Sequence, residues 1–398
     1  MALTSTARDF LRPTPAWYAV GAAVALTVVG VMAIHTAEAD AAAKQLQWVP
    51  ISLLAMLVCM LPHPRWISYL AYPLCFFVLA LLVLLILPGV PRTLVPVRNG
   101  ATSWINLRFM MFQPSELAKM AFVLALARYL RHRDSYRTLT GLVPLFVMMF
   151  VPVLLILKQP DLGTALLFAP TLFIVLVAVG AKLRHLLGLV GIGAAVVGIN
   201  VAIIFLVPPD RHPFMKEHQV KRVLSMVALV RGEADVMGDA YQQNVAMNLL
   251  GSGGLVGYGA ERSALVVQHN QLPHDHNDMI FPVIVNRWGM AGGVAVIGLY
   301  LVVLLSFVAV AGRSKDPFCR VVCVGLAGMI FTQAMINVGM TLGLLPITGI
   351  TLPFVSYGGS SLMSTLMMVG LVLNVAARPP SMLTRPSFEF RNADALFQ

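Results

Sequence analysis

The sequence predicts an all-α, polytopic membrane fold, and three observations carry that prediction. Of 398 residues, 58% are hydrophobic and only 11% are charged, with a mean hydropathy of +0.82. A soluble domain normally carries about 25% charge, so that class is excluded. Apolar stretches of roughly 20 residues, enough to cross about 30 Å of hydrocarbon, recur along the chain. The cationic residues, finally, concentrate in alternate connections.

About ten spans follow in order, each bounded to within a few residues. The first, Ala16–His35, follows a basic segment, 1–15, and runs into a polar turn with Glu38 and Asp40. It is as long as its successors and lacks a small-residue cleavage site, so it is a retained helix and not a signal peptide. Gln47–Pro62 and Ile67–Gly89 are parted by Arg65. Pro114–Leu130 opens on a proline at a helix start, where the missing N–H costs nothing. Thr140–Leu157, Gly163–Gly180 and Leu186–Val207 come next, and Met279–Ala311, Val321–Met340 and Ser360–Ala377 complete the set. The chain therefore reads as one transmembrane domain, 16–377, with a cytoplasmic N-terminal segment 1–15 and a cytoplasmic tail 378–398.

Arg8, Arg12, Arg65, Arg128 to Arg137, Lys182, Arg184, Arg313 to Arg320 and the tail from Arg378 share one side. By the positive-inside rule that side is the cytoplasm, with both termini. The net charge of +11 is thus mostly topology, and no basic, aromatic-bearing soluble domain points to nucleic acid. Cys59, Cys75, Cys319 and Cys323 lie in or beside apolar segments and read as packing residues, without a disulfide framework.

Two long segments face outward. Val90–Gln113 carries Arg92, Arg98 and Arg108 against the charge rule, and 208–277 forms a large extracytoplasmic loop between the seventh and eighth spans. The latter is too long for a connector and holds the Gly251-Ser-Gly-Gly254 run; Gln219–Val230 has the period of a short interfacial helix.

Four motifs fall on the same outer face by parity. Gln113-Pro-Ser-Glu116 starts the fourth span, with Lys119 on the same face of the helix as Glu116. Lys158-Gln-Pro-Asp161 starts the sixth, His274-Asp-His-Asn-Asp278 the eighth, and Ser356-Tyr-Gly-Gly-Ser-Ser361 the tenth. The even helices thus point their partly positive N-terminal ends outward, and Gly358 and Gly359 let backbone N–H groups approach a ligand, a layout suited to an anion. Each motif also has a purely structural reading. Asp278 and Asp161 are placed to cap helices, Glu116 and Lys119 to clamp helices as an ion pair, and Gly358-Gly359 to make a turn. His274, Asp275, His276 and Asp278 could ligate a metal or simply hydrate.

At these residues the chain resembles the SEDS proteins, RodA and FtsW. The resemblance rests on Gln113-Pro-Ser-Glu-Leu-Ala-Lys119, Gln159-Pro-Asp-Leu-Gly-Thr164, Gly251-Ser-Gly-Gly254, Asn337-Val-Gly-Met-Thr-Leu-Gly-Leu-Leu-Pro346 and Leu352-Pro-Phe-Val-Ser-Tyr-Gly-Gly-Ser-Ser361. It implies a ten-helix peptidoglycan glycosyltransferase of the bacterial cell membrane, polymerising lipid II beside a class B penicillin-binding protein within an elongation or division complex. It further implies that Asp278 is the catalytic carboxylate. Lys119, Glu116, Lys158, Asp161, Ser356, Gly358, Gly359 and Ser360 would then hold the diphosphate, with a divalent cation, Mg or Mn, as the cofactor to consider. Gln159-Pro-Asp-Leu-Gly leans to RodA and Gly349-Ile-Thr-Leu-Pro353 to FtsW, with the balance somewhat closer to RodA.

The chain departs from the family pattern at His274 and Asn277, where a Glu and a Thr are expected, and at Ser103, where a basic residue is expected. It departs again at Asn286 and Arg287, where an acidic pair is expected. These changes are expected to add positive charge around Asp278. Two other classes fit the same helices: a lipid II transporter, and a noncatalytic scaffold for the transpeptidase.

Overall fold

The computed structural model describes residues 13–96, 102–107, 111–206, 220, 224, 241–270 and 277–378. Apart from one pair of two-residue strands, the regular structure among them is helical. Helices α1 (Ala16–Ala37), α2 (Ala39–Met60) and α3 (Pro64–Leu84) lead to strands β1 (Ile105–Asn106) and β2 (Met111–Phe112). The two strands pair antiparallel, Ile105 opposite Phe112. Then come α4 (Pro114–Leu130), α5 (Leu139–Lys158), α6 (Leu162–Leu166), α7 (Phe168–Ala178) and α8 (Leu183–Leu206). Helices α9 (Tyr241–Ser252) and α10 (Gly259–Asn270) follow, and α11 (Ile280–Arg313), α12 (Pro317–Thr341) and α13 (Gly359–Ala376) close the chain.

Eight of these helices are long and apolar enough to cross a membrane, which makes this a multi-pass membrane protein. Two expected spans are not among the eight, for different reasons. Helix α4 has the expected bounds but is only 17 residues long and carries Glu116, Lys119 and Arg128. The sixth span breaks into α6 and α7. Pro170 lacks the N–H that would bond the Leu166 carbonyl, so the turn before it tightens, with Leu167 N–H bonding Thr164 O at 3.2 Å.

The eighth span is not one helix either. At Gly289 the backbone turns to φ 71°, ψ −172°, dividing α11 into a short leading piece and a spanning piece. The Gly251–Gly257 segment braces this kink. Met290 N–H donates to Gly254 O, Ala291 N–H to Leu255 O and Tyr258 N–H to Asn286 O, so two donors and one acceptor freed by the break are satisfied. A Cβ at Gly289 would stand 2.2 Å from Leu255 O, which is why only glycine fits there.

The core places α13 against α2, α11 against α1, and α4, α7 and α11 around α12. At the end opposite Asp278, polar side chains tie helices together. Asn374 Nδ2 reaches the Cys59, Met60 and Pro62 carbonyls that end α2, and Arg128 and Arg131 both donate to Ser68 Oγ. Arg131 also lies 3.8 Å from Asp316, whose Oδ1 caps α12 by accepting from Phe318 N–H. Burial pushes the Asp316 carboxyl above its ordinary value, although Arg131 and the Phe318 N–H pull the other way.

Candidate functional site

Helix α4 begins where β2 ends, and its first turn is built around Asp161. That carboxylate accepts from Gln113 Nε2 (3.1 Å), Ser115 Oγ (3.3 Å), Thr164 Oγ1 (2.8 Å) and Thr164 N–H (3.0 Å). It therefore caps α6 and ties α6 to α4 at once. It lies ahead of the helix, where burial raises its pKa and the Thr164 hydrogen bonds oppose the rise.

One turn further into α4, Glu116 and Lys119 belong to a closed ring of hydrogen bonds. Lys119 Nζ donates to Glu116 Oε1 (2.9 Å) and to Gln333 Oε1 (2.8 Å) of α12. Gln333 Nε2 donates to Thr351 O (2.9 Å), and the Thr351 hydroxyl lies 3.1 Å from that of Ser361 on α13. Ser364 Oγ, bonded to Ser361 O (3.0 Å), stands 2.6 Å from Glu116 Oε2 and closes the circuit. Lys119 is 1% exposed and Glu116 5%. Charges this deeply buried persist only when paired and fully bonded, as these are.

Asp278 sits beside this ring. It is 7% exposed and precedes α11, whose N-cap position is held by Met279. Asn337, one turn beyond Gln333 on the same face of α12, donates Nδ2 to the Asp278 carbonyl (2.8 Å) and to the Ile350 carbonyl (2.6 Å). One amide thus fixes Asp278 against the 342–358 loop. A Cβ built at Gly349 would lie 3.9 Å from Asp278 Oδ2, so the carboxylate faces the backbone of that loop.

The same loop is held from α2. Gln45, 1% exposed, receives Gly358 N–H on Oε1 (3.1 Å) and lies 3.4 Å from Ser356 O through Nε2. Ser356 Oγ accepts from Leu352 N–H (2.7 Å), and Tyr300 donates its hydroxyl to Pro353 O. Trp48 packs flat on Gly359, where a Cβ would meet the indole at 2.2 Å. The Gly358 N–H is therefore taken up by Gln45 and Gly359 is closed by Trp48. Ser360 Oγ is buried without a hydrogen-bond partner.

Of the residues singled out in the sequence, Asp278, Glu116, Lys119, Asp161, Ser356, Gly358, Gly359 and Ser360 lie on or beside this loop and ring. Lys158 is exposed at the end of α5 and is not part of the ring. His274, Asp275 and His276, the 208–219 segment and most of Gln219–Val230 lie outside the described residues. Among the described residues, no three His, Cys, Asp or Glu side chains converge as a metal site. Lys119 and Glu116 already satisfy each other, so a cation held here would draw on Asp278.

Asn286 and Arg287 are both turned to structural work. Asn286, fully buried, accepts from Ser263 Oγ (2.7 Å) and donates to Ser252 Oγ (3.0 Å) and Leu249 O (3.4 Å), pinning α9 and α10 to the kink. Arg287 Nη1 donates to Met32 O (2.6 Å) and Thr36 Oγ1 (2.5 Å) at the end of α1. Gln333, Gln45 and Tyr300 were not singled out from the sequence, and Asn337 entered only as the first residue of a family block, without a role. A signal existed for Gln333 and Asn337, since polar residues four apart in an apolar helix share one face.

Comparisons with known proteins place the whole chain in one family. A family profile described as "Cell cycle protein", covering FtsW, RodA and SpoVE, matches residues 13–379. The chain is similar to the probable peptidoglycan glycosyltransferase FtsW of Trichlorobacter lovleyi, 32% identical over 368 residues, 89% of this chain and 91% of that protein. It is also similar to the peptidoglycan glycosyltransferase MrdB of Escherichia coli, 33% identical over 279 residues, 70% of this chain and 72% of that one. Among solved structures, a chain of a peptidoglycan synthase complex, described as coordinating polymerization and crosslinking, matches with a TM-score of 0.74 and 31% identity. That match covers 90% of this chain and 97% of the other.

Proposed function

Because this chain belongs to the FtsW, RodA and SpoVE family and is a peptidoglycan glycosyltransferase, we propose that Asp278 is the base with which it polymerises lipid II. The carboxylate takes the proton from the carbon-4 hydroxyl of an acceptor GlcNAc as that oxygen attacks the anomeric carbon of the donor. The anomeric carbon–oxygen bond to the diphosphate breaks, undecaprenyl pyrophosphate leaves with the electron pair, and the α-linked donor becomes a β-1,4 glycan. One base acting on one face inverts the centre.

The observation that carries this reading is the amide of Asn337, which locks the backbone of Asp278 to Ile350 beside the ring. A base held to a loop that is itself tied to three helices keeps its geometry through the reaction. Lys119 and Glu116 act here as positioning residues: through Gln333 they set the Thr351 carbonyl and with it the loop that faces Asp278. Asp161, Ser356 and Ser360 belong to the wall where the diphosphate leaves, and Lys158, exposed, is a cation that can meet it. The site opens on the outer leaflet of the bacterial inner membrane, and a class B penicillin-binding protein is the partner that crosslinks the product.

The deciding experiment uses the full chain reconstituted with its transpeptidase and purified lipid II. Wild type is expected to release undecaprenyl pyrophosphate and form glycan strands without nucleotide or ion gradient. Asp278→Asn is expected to lower strand formation by at least about a hundredfold at unchanged expression. Equal polymer from the variant would remove Asp278 as base. Movement of labelled lipid II between leaflets without polymer would identify a transporter, and unchanged wall synthesis in cells carrying Asp278→Asn would identify a scaffold.

A further inference from the structure

We propose that a groove between α1 and α2 binds one zwitterionic membrane phospholipid, its acyl chain between the helices and its phosphodiester on Arg287. The groove has a volume of ≈ 200 Å³ and is lined by Val24, Val28, Met32, Leu46, Val49 and Leu53, with Leu366 of α13 at its back. Thr27 also borders it but turns its hydroxyl to Ala23 O (2.8 Å), so the walls offer nothing polar to a ligand. From Val24 to Met32 it runs roughly 12 Å along α1, enough for part of one chain and too narrow for a headgroup.

The groove is polar at one end only. Met32 marks that end, and its carbonyl accepts from Arg287 Nη1 at 2.6 Å. The guanidinium stacks on Trp288, 4.4 Å from the ring centre, and is partly exposed. Among the described residues its Nε and Nη2 donate to nothing, and a guanidinium fork matches phosphate oxygens. Arginine beside tryptophan is also the pair expected at headgroup depth. Asp40, exposed just beyond Thr36, adds a carboxylate at the same end, and the exposed Lys44 lies one turn further along α2. A headgroup with phosphate for Arg287 and an ammonium for Asp40 fits better than a purely anionic one.

The occupant is not the reacting polyprenyl chain. Leu366 faces the groove while Ser364, two residues away and so nearly opposite on α13, bonds Glu116. On α2, Gln45 and Trp48 hold the Ser356–Gly359 loop while Leu46, Val49 and Leu53 face the groove. The groove is thus the outer wall of the two helices whose inner faces carry the site, turned to the surrounding lipid.

The test is native mass spectrometry of the full chain released from nanodiscs of equal phosphatidylethanolamine and phosphatidylglycerol. Wild type is expected to retain one more phosphatidylethanolamine than Arg287→Gln, whose retention falls about tenfold, while Arg287→Lys falls between. Val28→Trp, which fills the groove and leaves Arg287 in place, is expected to lose the same lipid even if Arg287→Gln folds poorly. Equal retention by wild type and Val28→Trp, equal retention of the two lipids, or a retained polyprenyl phosphate would each overturn the proposal. No lipid II enters the measurement, so its outcome is independent of Asp278 and polymerisation.

Discussion

Helices α8 and α4 stand at opposite extremes of the same fold. The most apolar 18-residue stretch of α8 has a mean hydropathy of 2.4, yet only 6% of it is buried. Helix α4 is too short and too polar to be recognised as a span, yet 14 of its 17 residues are buried. In a bilayer, lipid tails are as apolar as leucine, so a strongly apolar helix gains little by leaving lipid for protein. A helix with Glu116 and Lys119 can be accommodated only inside, where Gln333 and Ser364 complete the hydrogen bonds. Between these two helices, high hydropathy marks the lipid-facing span and the weak span marks the site.

The sharpest break of that contrast is exchange of the buried pair. Glu116→Lys with Lys119→Glu conserves charge, but Gln333 Oε1 would then face a carboxylate while its Nε2 is committed to Thr351 O. Strand formation by the double variant is expected to fall more than about a hundredfold in a lipid II polymerisation assay, and Lys119→Met alone to cost about 3–5 kcal/mol through the unpaired Glu116. Normal yield from the exchanged protein would reduce the pair to a symmetric clamp.

A smaller loss is expected at the kink. Gly289→Ala combines a φ of 71° with a contact to Leu255 O, for a cost of about 1–3 kcal/mol, a lower melting temperature and a displaced Asp278. Activity falling together with hydrogen-exchange protection of Met290 and Ala291 amides would tie both to the brace. Gln45→Ala, which frees the Gly358 N–H, is expected to cost about 1–3 kcal/mol and slow polymerisation with little effect on membrane insertion.

At the opposite end the effect is small and pH-dependent. The Asp316 carboxyl is raised above 3.8 by burial, so the fold binds its proton more tightly than the unfolded chain does. The cost of burying the charge appears as pH rises from about 4 through the folded value. Asp316→Asn keeps the acceptor for Phe318 N–H and loses that cost, so it is expected to melt no lower than wild type at neutral pH. Its relative advantage should shrink on acidification, and a gap that is constant with pH would assign the difference to packing or hydrogen bonding and not to the charge of the carboxylate. Least of all is expected on α8, where Ile192→Ala, exposed to lipid, should leave polymer yield within about twofold.

Composition and apolar period sufficed to identify a multi-pass helical protein, to place α4 within its observed bounds, and to single out Asp278, Glu116, Lys119 and Asp161. Those features are local, since a span is a length of chain and a buried charge is conspicuous in an apolar run. The sequence did not disclose the break of α11 at Gly289, because its cause is a brace whose carbonyls lie 36 residues upstream of the freed N–H groups they accept. Nor did it disclose that Asn286 and Arg287 serve α9, α10 and α1, or that Gln333 and Asn337 hold the loop facing Asp278. Which acceptor a buried amide finds depends on which helices become neighbours. That is decided only when every polar group inside the bundle must be paired at once.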